Sequence, residues 1–171
     1  MDPNTLALLF LALLVLAFLG MVAGYVLRSP YSPLQTGIHF VTIMLARLQW
    51  RAEVPPLPIP ANVGAILVCN HRSSVDPFFI YSNAGRKIHW MVAAEYLKMP
   101  VFGWFLRMTE TIPTNRGGID TASTKAAMRK AREGGVVGMF PEGRINMSEE
   151  LLLPVRPGAA MIALAAQVPV L

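Results

Sequence analysis

Ala65-Ile66-Leu67-Val68-Cys69-Asn70-His71-Arg72-Ser73-Ser74-Val75-Asp76-Pro77-Phe78-Phe79-Ile80 is the stretch on which the reading of this chain turns. The apolar run 65–69 has the length of a buried strand, and Pro77 suits the first turn of a helix. A histidine and an aspartate therefore share one strand-to-helix turn, at the carboxyl end of a sheet where their side chains can meet. On residues alone two readings stand. Asp76 caps the following helix and His71 is an ordinary loop residue. Alternatively, a carboxylate on one imidazole nitrogen fixes the tautomer while the other nitrogen takes a proton from an attacking hydroxyl.

Outward from this turn the chain alternates strand and helix. Residues 77–83 read as a helix, 88–93 as a strand, 96–108 as a helix interrupted or offset by Pro100, and 111–112 as a short strand. A helix over 120–133 opens on an aspartate cap and closes on Gly134-Gly135. A strand over 136–140, a helix over 157–167 and the apolar Val168-Pro169-Val170-Leu171 follow. This order predicts a three-layer α/β domain with a central mixed or mostly parallel sheet. The chain stops inside an expected core strand, so residues 61–171 read as a domain cut short at its carboxyl end, or as an unusually short one.

Ahead of the domain lies a different kind of sequence. No charge interrupts residues 5–27, a run of about 23 residues that can cross a hydrocarbon core with some tilt. A cleaved signal peptide is the rival, but the amino terminus lacks a positive n-region and the run is long for an h-region. Residues 1–28 are therefore read as a single-pass anchor in the cell membrane. Arg28, Arg47 and Arg51 follow the span and Asp2 precedes it, so the positive-inside rule places the domain on the cytoplasmic side. Residues 36–51 form a second helical pattern with Ile38, Val41, Met44, Leu45 and Leu48 along one side. It reads either as an amphipathic helix in the bilayer interface, ending at Trp50 and Arg51, or as a core-facing helix. Residues 29–60 thus hold this helix and the proline-rich linker 54–60.

The 171 residues are 54% hydrophobic with a net charge of +5. That describes one small domain with membrane character, open to anionic lipids or phosphorylated substrates. The basic residues are scattered without an aromatic-basic motif, which argues against nucleic acid. Cys69, the single cysteine, supports no disulfide framework; a buried strand thiol is a better reading of it than a nucleophile. His39 and His89 show no ligand spacing with His71, so no metal or cofactor is expected.

Two later stretches carry chemistry. Phe140-Pro141-Glu142-Gly143-Arg144 follows a strand and so lies near the first turn if the two strands are neighbours; Glu142 could bond substrate hydroxyls or position a basic group. A plain turn with a solvated glutamate explains the same residues. Thr111-Ile112-Pro113-Thr114-Asn115-Arg116 ends in a guanidinium whose planar fork matches phosphate oxygens, although a surface arginine is the ordinary reading.

Asn70-His71 with Asp76, then Phe140-Pro141-Glu142-Gly143, resemble in order and separation the signature blocks of the glycerolipid acyltransferases, the 1-acyl-glycerol-3-phosphate acyltransferase (lysophosphatidic acid acyltransferase) family. The likeness covers roughly residues 61–171. It departs at Glu110, where the family usually has glycine, at Pro113 for an aromatic, and at Arg144-Ile145-Asn146 for Thr-Arg-Ser. Arg156-Pro157-Gly158 sits where the family often has a basic residue before glycine, opening a helix suited to phosphate or pantetheine.

The resemblance implies a membrane-bound O-acyltransferase that moves a fatty acyl group from acyl-CoA or acyl carrier protein to a lysophospholipid hydroxyl, giving phosphatidic acid. It implies His71 as general base oriented by Asp76. Arg116, Glu142, Gly143, Arg144, Asn70 and Ser73 are then the substrate-binding residues, and amides at the helix start stabilise the oxyanion. Other acceptors (glycerol 3-phosphate, another lysophospholipid, a lyso-aminolipid) fit the same residues. A non-catalytic, membrane-anchored lipid-binding protein is the alternative from another class.

Overall fold

The computed structural model describes residues 2–53, 55, 57–115 and 120–171. It falls into two compact units, Met1–Ile38 and His39–Leu171.

In the first unit, α1 (Pro3–Arg28) opens with proline in its first turn, and the Asp2 carboxylate accepts the otherwise unpaired amides of Asn4 and Thr5. Among the described residues it is the one helix long and apolar enough to cross a membrane. Its Leu, Phe and Met side chains, with Val15 and Val22, are exposed. After the turn at Ser29, a reciprocal pair of bonds between Ser32 and Gln35 starts α2 (Pro33–Met44).

Residues 36–51 do not form one regular helix, because a wider π turn over Leu45–Gln49 succeeds α2. Most of the apolar stripe expected on it points outward: Val41, Leu45 and Leu48 are exposed and Ile38 and Met44 half-buried, while Thr36, His39 and Ala46 are buried. The core-facing reading of that stripe is therefore wrong.

The second unit is built on a parallel sheet of β1 (Ala65–Val68), β2 (Ile88–Ala93), β3 (Ile112–Thr114) and β4 (Val136–Met139), in the order β1-β4-β2-β3. Beyond β1, the segment 169–171 adds parallel bonds: the amides of Ile66 and Leu171 donate to Pro169 and Ile66 carbonyls at 2.9 Å. The crossovers hold α3 (Asp76–Asn83), α4 (Pro100–Met108), α5 (Thr121–Arg132) and α6 (Gly158–Ala166). The helical pattern over 96–108 is broken at Pro100, as expected: a 3₁₀ turn over Ala94–Lys98 precedes α4, which opens on Pro100. Asp120 caps α5 by accepting the Ser123 amide, and Gly134 just beyond it has φ +85°.

Strand period sorts the core into two faces. Ile66, Val137, Met139 and Ile112 pack under the alanines of α5 and α6, namely Ala127, Ala131, Ala159, Ala163 and Ala166. Leu67, Val136, Ile88 and Trp90 point the other way, with Cys69, Ile80 and Phe140 against them. The expectation of a three-layer α/β domain on a mostly parallel sheet holds.

Candidate active site

The site grows from the carboxyl ends of two neighbouring strands. β1 ends at Val68 and the chain turns through Asn70-His71-Arg72-Ser73 into α3. Asp76 is the first residue of α3 rather than its cap, and its carboxylate folds back over the turn. Oδ2 accepts the amides of Arg72 at 2.7 Å and Ser73 at 2.8 Å and lies 3.1 Å from Nδ1 of His71. A carboxylate oxygen can only accept, so in the neutral ring Nδ1 carries the proton and Nε2 the lone pair. The His71 side chain keeps 17% of its surface exposed, which leaves an edge of the ring within reach of a ligand. The amides of Arg72 and Ser73 are already taken by Asp76, so these two are not available as oxyanion donors.

β4 ends beside β1, and its turn Phe140-Pro141-Glu142-Gly143 is tight: Gly143 has φ +72° and its amide donates to the Phe140 carbonyl. Glu142 is 5% exposed, so it is not the solvated glutamate of an ordinary turn. Its Oε1 accepts the His71 amide at 2.7 Å and its Oε2 the Leu153 amide at 3.1 Å. The His71 carbonyl in turn accepts the Asn146 amide at 2.6 Å. Both backbone polar groups of His71 are thereby held, by Glu142 in the second turn and by Asn146 just after it, which fixes one signature against the other.

The remaining expected residues divide. Asn70 and Ser73 lie in the first turn; the Asn70 amide side chain donates to the Leu151 carbonyl, and the Ser73 amide to Asp76. Gly143 and the exposed Arg144 lie in the second. Arg156 crosses it: its amide donates to the Pro141 carbonyl, and its guanidinium carbon would lie 3.3 Å from a side chain added at Gly143. Arg116 lies outside the described residues. Burial, followed by the charges of Asp76 and Glu142, pushes the Cys69 thiol up to about 12, so at neutral pH it is no nucleophile.

Asn146 escaped the sequence reading. It is 1% exposed and organises the strap 146–153 by accepting from Ser148 and donating to the Glu150 carbonyl. Arg72 ties the strap back to the first turn through the Ser148 and Glu150 carbonyls. Its one sequence signal is position, since it stands three residues beyond the Phe-Pro-Glu-Gly turn where the likeness already departs.

A family model described as Acyltransferase matches residues 54–171. The chain belongs to that family. Among curated proteins the acyltransferase domain is 30% identical over 112 residues to the 1-acyl-sn-glycerol-3-phosphate acyltransferase of Bacillus subtilis, covering 65% of this chain and 55% of that protein. It is 27% identical over 113 residues to the N-acylphosphatidylethanolamine synthase of Arabidopsis thaliana, covering 60% of this chain and 40% of that one. The chain thus spans about half the length, or less, of these relatives. A crystal structure of the Thermotoga maritima 1-acyl-sn-glycerophosphate acyltransferase shares the fold at a TM-score of 0.61 and 21% identity, over 97% of this chain and 70% of that one.

The departure at Glu110 has a geometric explanation. Its backbone is left-handed, φ +54°, a conformation glycine adopts without strain and other residues rarely do. Its carboxylate meets Lys87 at 2.6 Å and Lys130 at 3.2 Å, and its carbonyl lies 3.2 Å from Nδ1 of His89. The lysines, Lys87 foremost, hold the Glu110 carboxyl below its ordinary range.

Proposed function

We propose that this chain transfers a fatty acyl group from acyl-CoA or acyl carrier protein to the free hydroxyl of 1-acyl-glycerol-3-phosphate, giving phosphatidic acid, while α1 anchors it in a membrane with the domain on the cytoplasmic side. The observation that carries the reading is the contact between His71 Nδ1 and Asp76 Oδ2 at 3.1 Å in the turn after β1. With Nδ1 donating to Asp76, Nε2 accepts the proton of the acceptor hydroxyl as its oxygen attacks the thioester carbonyl. The tetrahedral oxyanion then collapses, the carbon–sulfur bond breaks, and the imidazolium returns the proton to the leaving thiolate. A thioester is already activated, so no enzyme nucleophile is required, in keeping with the inert Cys69 thiol.

Glu142 and Asn146 hold the base in place, Arg116 and Arg144 are assigned to the acceptor phosphate, and Asn70, Ser73 and Gly143 line the approach. The step runs without a metal or cofactor. The likeness to an N-acylphosphatidylethanolamine synthase favours a second reading, in which the same base serves a different lipid acceptor.

The test is release of free thiol from acyl-CoA or acyl carrier protein by the purified chain in lipid vesicles. Lysophosphatidic acid, glycerol 3-phosphate and an amine-bearing lysolipid are compared as acceptors, with the lipid product identified by mass. Fastest turnover on lysophosphatidic acid is expected. Binding of lipid without thiol release would instead mark a non-catalytic lipid-binding protein.

A further inference from the structure

Three aromatic rings form one column on the face of the sheet that leads to the site. The Phe140 ring stacks on the His71 imidazole with centroids 3.8 Å apart and planes 10° apart. On its other side lies Trp90, 5.0 Å away and again 10° from parallel. Trp90 sits beside Gly138 in the β2/β4 ladder. The smallness of Gly138 is what admits the indole, because a side chain there would come within 2.7 Å of it. Among the described residues no acceptor reaches the buried indole N–H.

We infer that Phe140, backed by Trp90, is a positioning residue for His71, and this rests on reading His71 as the general base. An imidazole on a fixed backbone has two orientations left to settle: the tilt of its plane, and which edge faces which way within that plane. Asp76 settles the second, because only one ring nitrogen meets Oδ2. It does not settle the first, since a single contact at 3.1 Å acts as a pivot about which the ring can rock. Phe140 settles the tilt by lying flat against the ring, and Trp90 prevents Phe140 from yielding. The aromatic column and the carboxylate together leave Nε2 one direction to face. A wobble of that nitrogen lowers the fraction of bound acceptors in line for proton transfer, so the column acts on turnover and not on lipid affinity.

The experiment uses the full chain in lipid nanodiscs and compares wild type, Phe140→Leu and Phe140→Tyr. Leucine keeps an apolar filler without a ring face, and tyrosine restores the face, so fold is held constant and checked by melting. Phe140→Leu is expected to lower kcat roughly three- to tenfold, the scale of one aromatic pair, with KM for the lysolipid unchanged within about twofold. Phe140→Tyr is expected to recover most of the loss. In spectra of the histidine-labelled chain, assigned by His71→Gln, the ring protons of His71 are expected upfield in wild type and in Phe140→Tyr, moving downfield in Phe140→Leu. Unmoved ring protons in Phe140→Leu, or a raised KM with kcat intact, would overturn the inference. If wild type shows the upfield protons yet releases no thiol with any acceptor, the acyl-transfer reading fails instead, and with it the catalytic part of the inference.

Discussion

His71, in the turn beyond β1, and His89, inside β2, contrast a ring left with an open edge with a ring the fold encloses. His89 is 6% exposed; its Nδ1 faces the Glu110 carbonyl at 3.2 Å. Burial, above all, pushes it below the ordinary imidazole range. His71 keeps an open edge, meets a carboxylate in place of a carbonyl, and is held by its own backbone through Glu142 and Asn146. One ring is enclosed as a neutral part of the core side; the other is aimed. The two faces of the sheet differ in kind as well. Under α5 and α6 small alanines bring helix and strand close together, whereas the opposite face carries the bulky rings that run out toward the site.

Substituting the two histidines is the strongest way to break this contrast. His71→Ala is expected to lower thioester-dependent acyl transfer by about 10²–10⁴-fold, the usual worth of a general base, with melting unchanged. His89→Gln is expected to leave turnover within about twofold while lowering stability; comparable loss of turnover in both would erase the distinction. Next in size, Ile66→Ala, at a fully buried position on the alanine face, is expected to cost about 2–5 kcal/mol in denaturant unfolding. Glu142→Ala should cost less, about 1–3 kcal/mol, by stranding the His71 and Leu153 amides. Unlike Ile66→Ala, it should also cut kcat, since those bonds fix the base.

Acid sharpens the contrast more gently. His39 and His89 both have folded-state values below the ordinary 6.5, mainly through burial. As pH falls through 6.5 the unfolded chain therefore takes up protons that the folded chain refuses, and stability is lost until the lower folded values are reached. Glu110, depressed below 4.5, contributes stability that is present above 4.5 and is lost as pH falls through its lower folded value. Thermal melting from pH 8 to 5 should show a decline below about 6.5 that is shallower in His89→Gln; an equal decline in the variant would be evidence against the assignment. The smallest expected effect is at Cys69: with its thiol pushed up to about 12, Cys69→Ala should retain turnover.

Much of this was legible from local signals. Apolar runs bounded by Gly, Pro and Asp placed β2 at residues 88–93 and located α5 between Asp120 and Gly134, because caps and strand periods are written within a few residues. The His71–Asp76 contact was legible because both residues belong to one turn. What escaped depends on partners far along the chain. Asn146 is a buried hub only because β4 sits beside β1, so that its amide meets the His71 carbonyl. For Glu142 the sequence left open bonding substrate hydroxyls or positioning a basic group; its oxygens accept the amides of His71 and Leu153, partners 71 and 11 residues away in the chain. The stripe on residues 36–51 had a clear helical period, but period shows which residues share a side and not whether that side is covered.

The pairing of β1 with β4, Ala65 with Val136 through Val68 with Met139, brings the two signature turns side by side through a ladder of backbone bonds. The intervening chain runs through α3, β2, α4, β3 and α5 before β4 takes its place beside β1, so the interval between the motifs in sequence is not what sets their spacing in space. An insertion at the Gly85 bend, where φ is +63°, would lengthen that interval and leave the catalytic geometry alone. A one-residue slip of β4 against β1 would turn Phe140 and Glu142 away together.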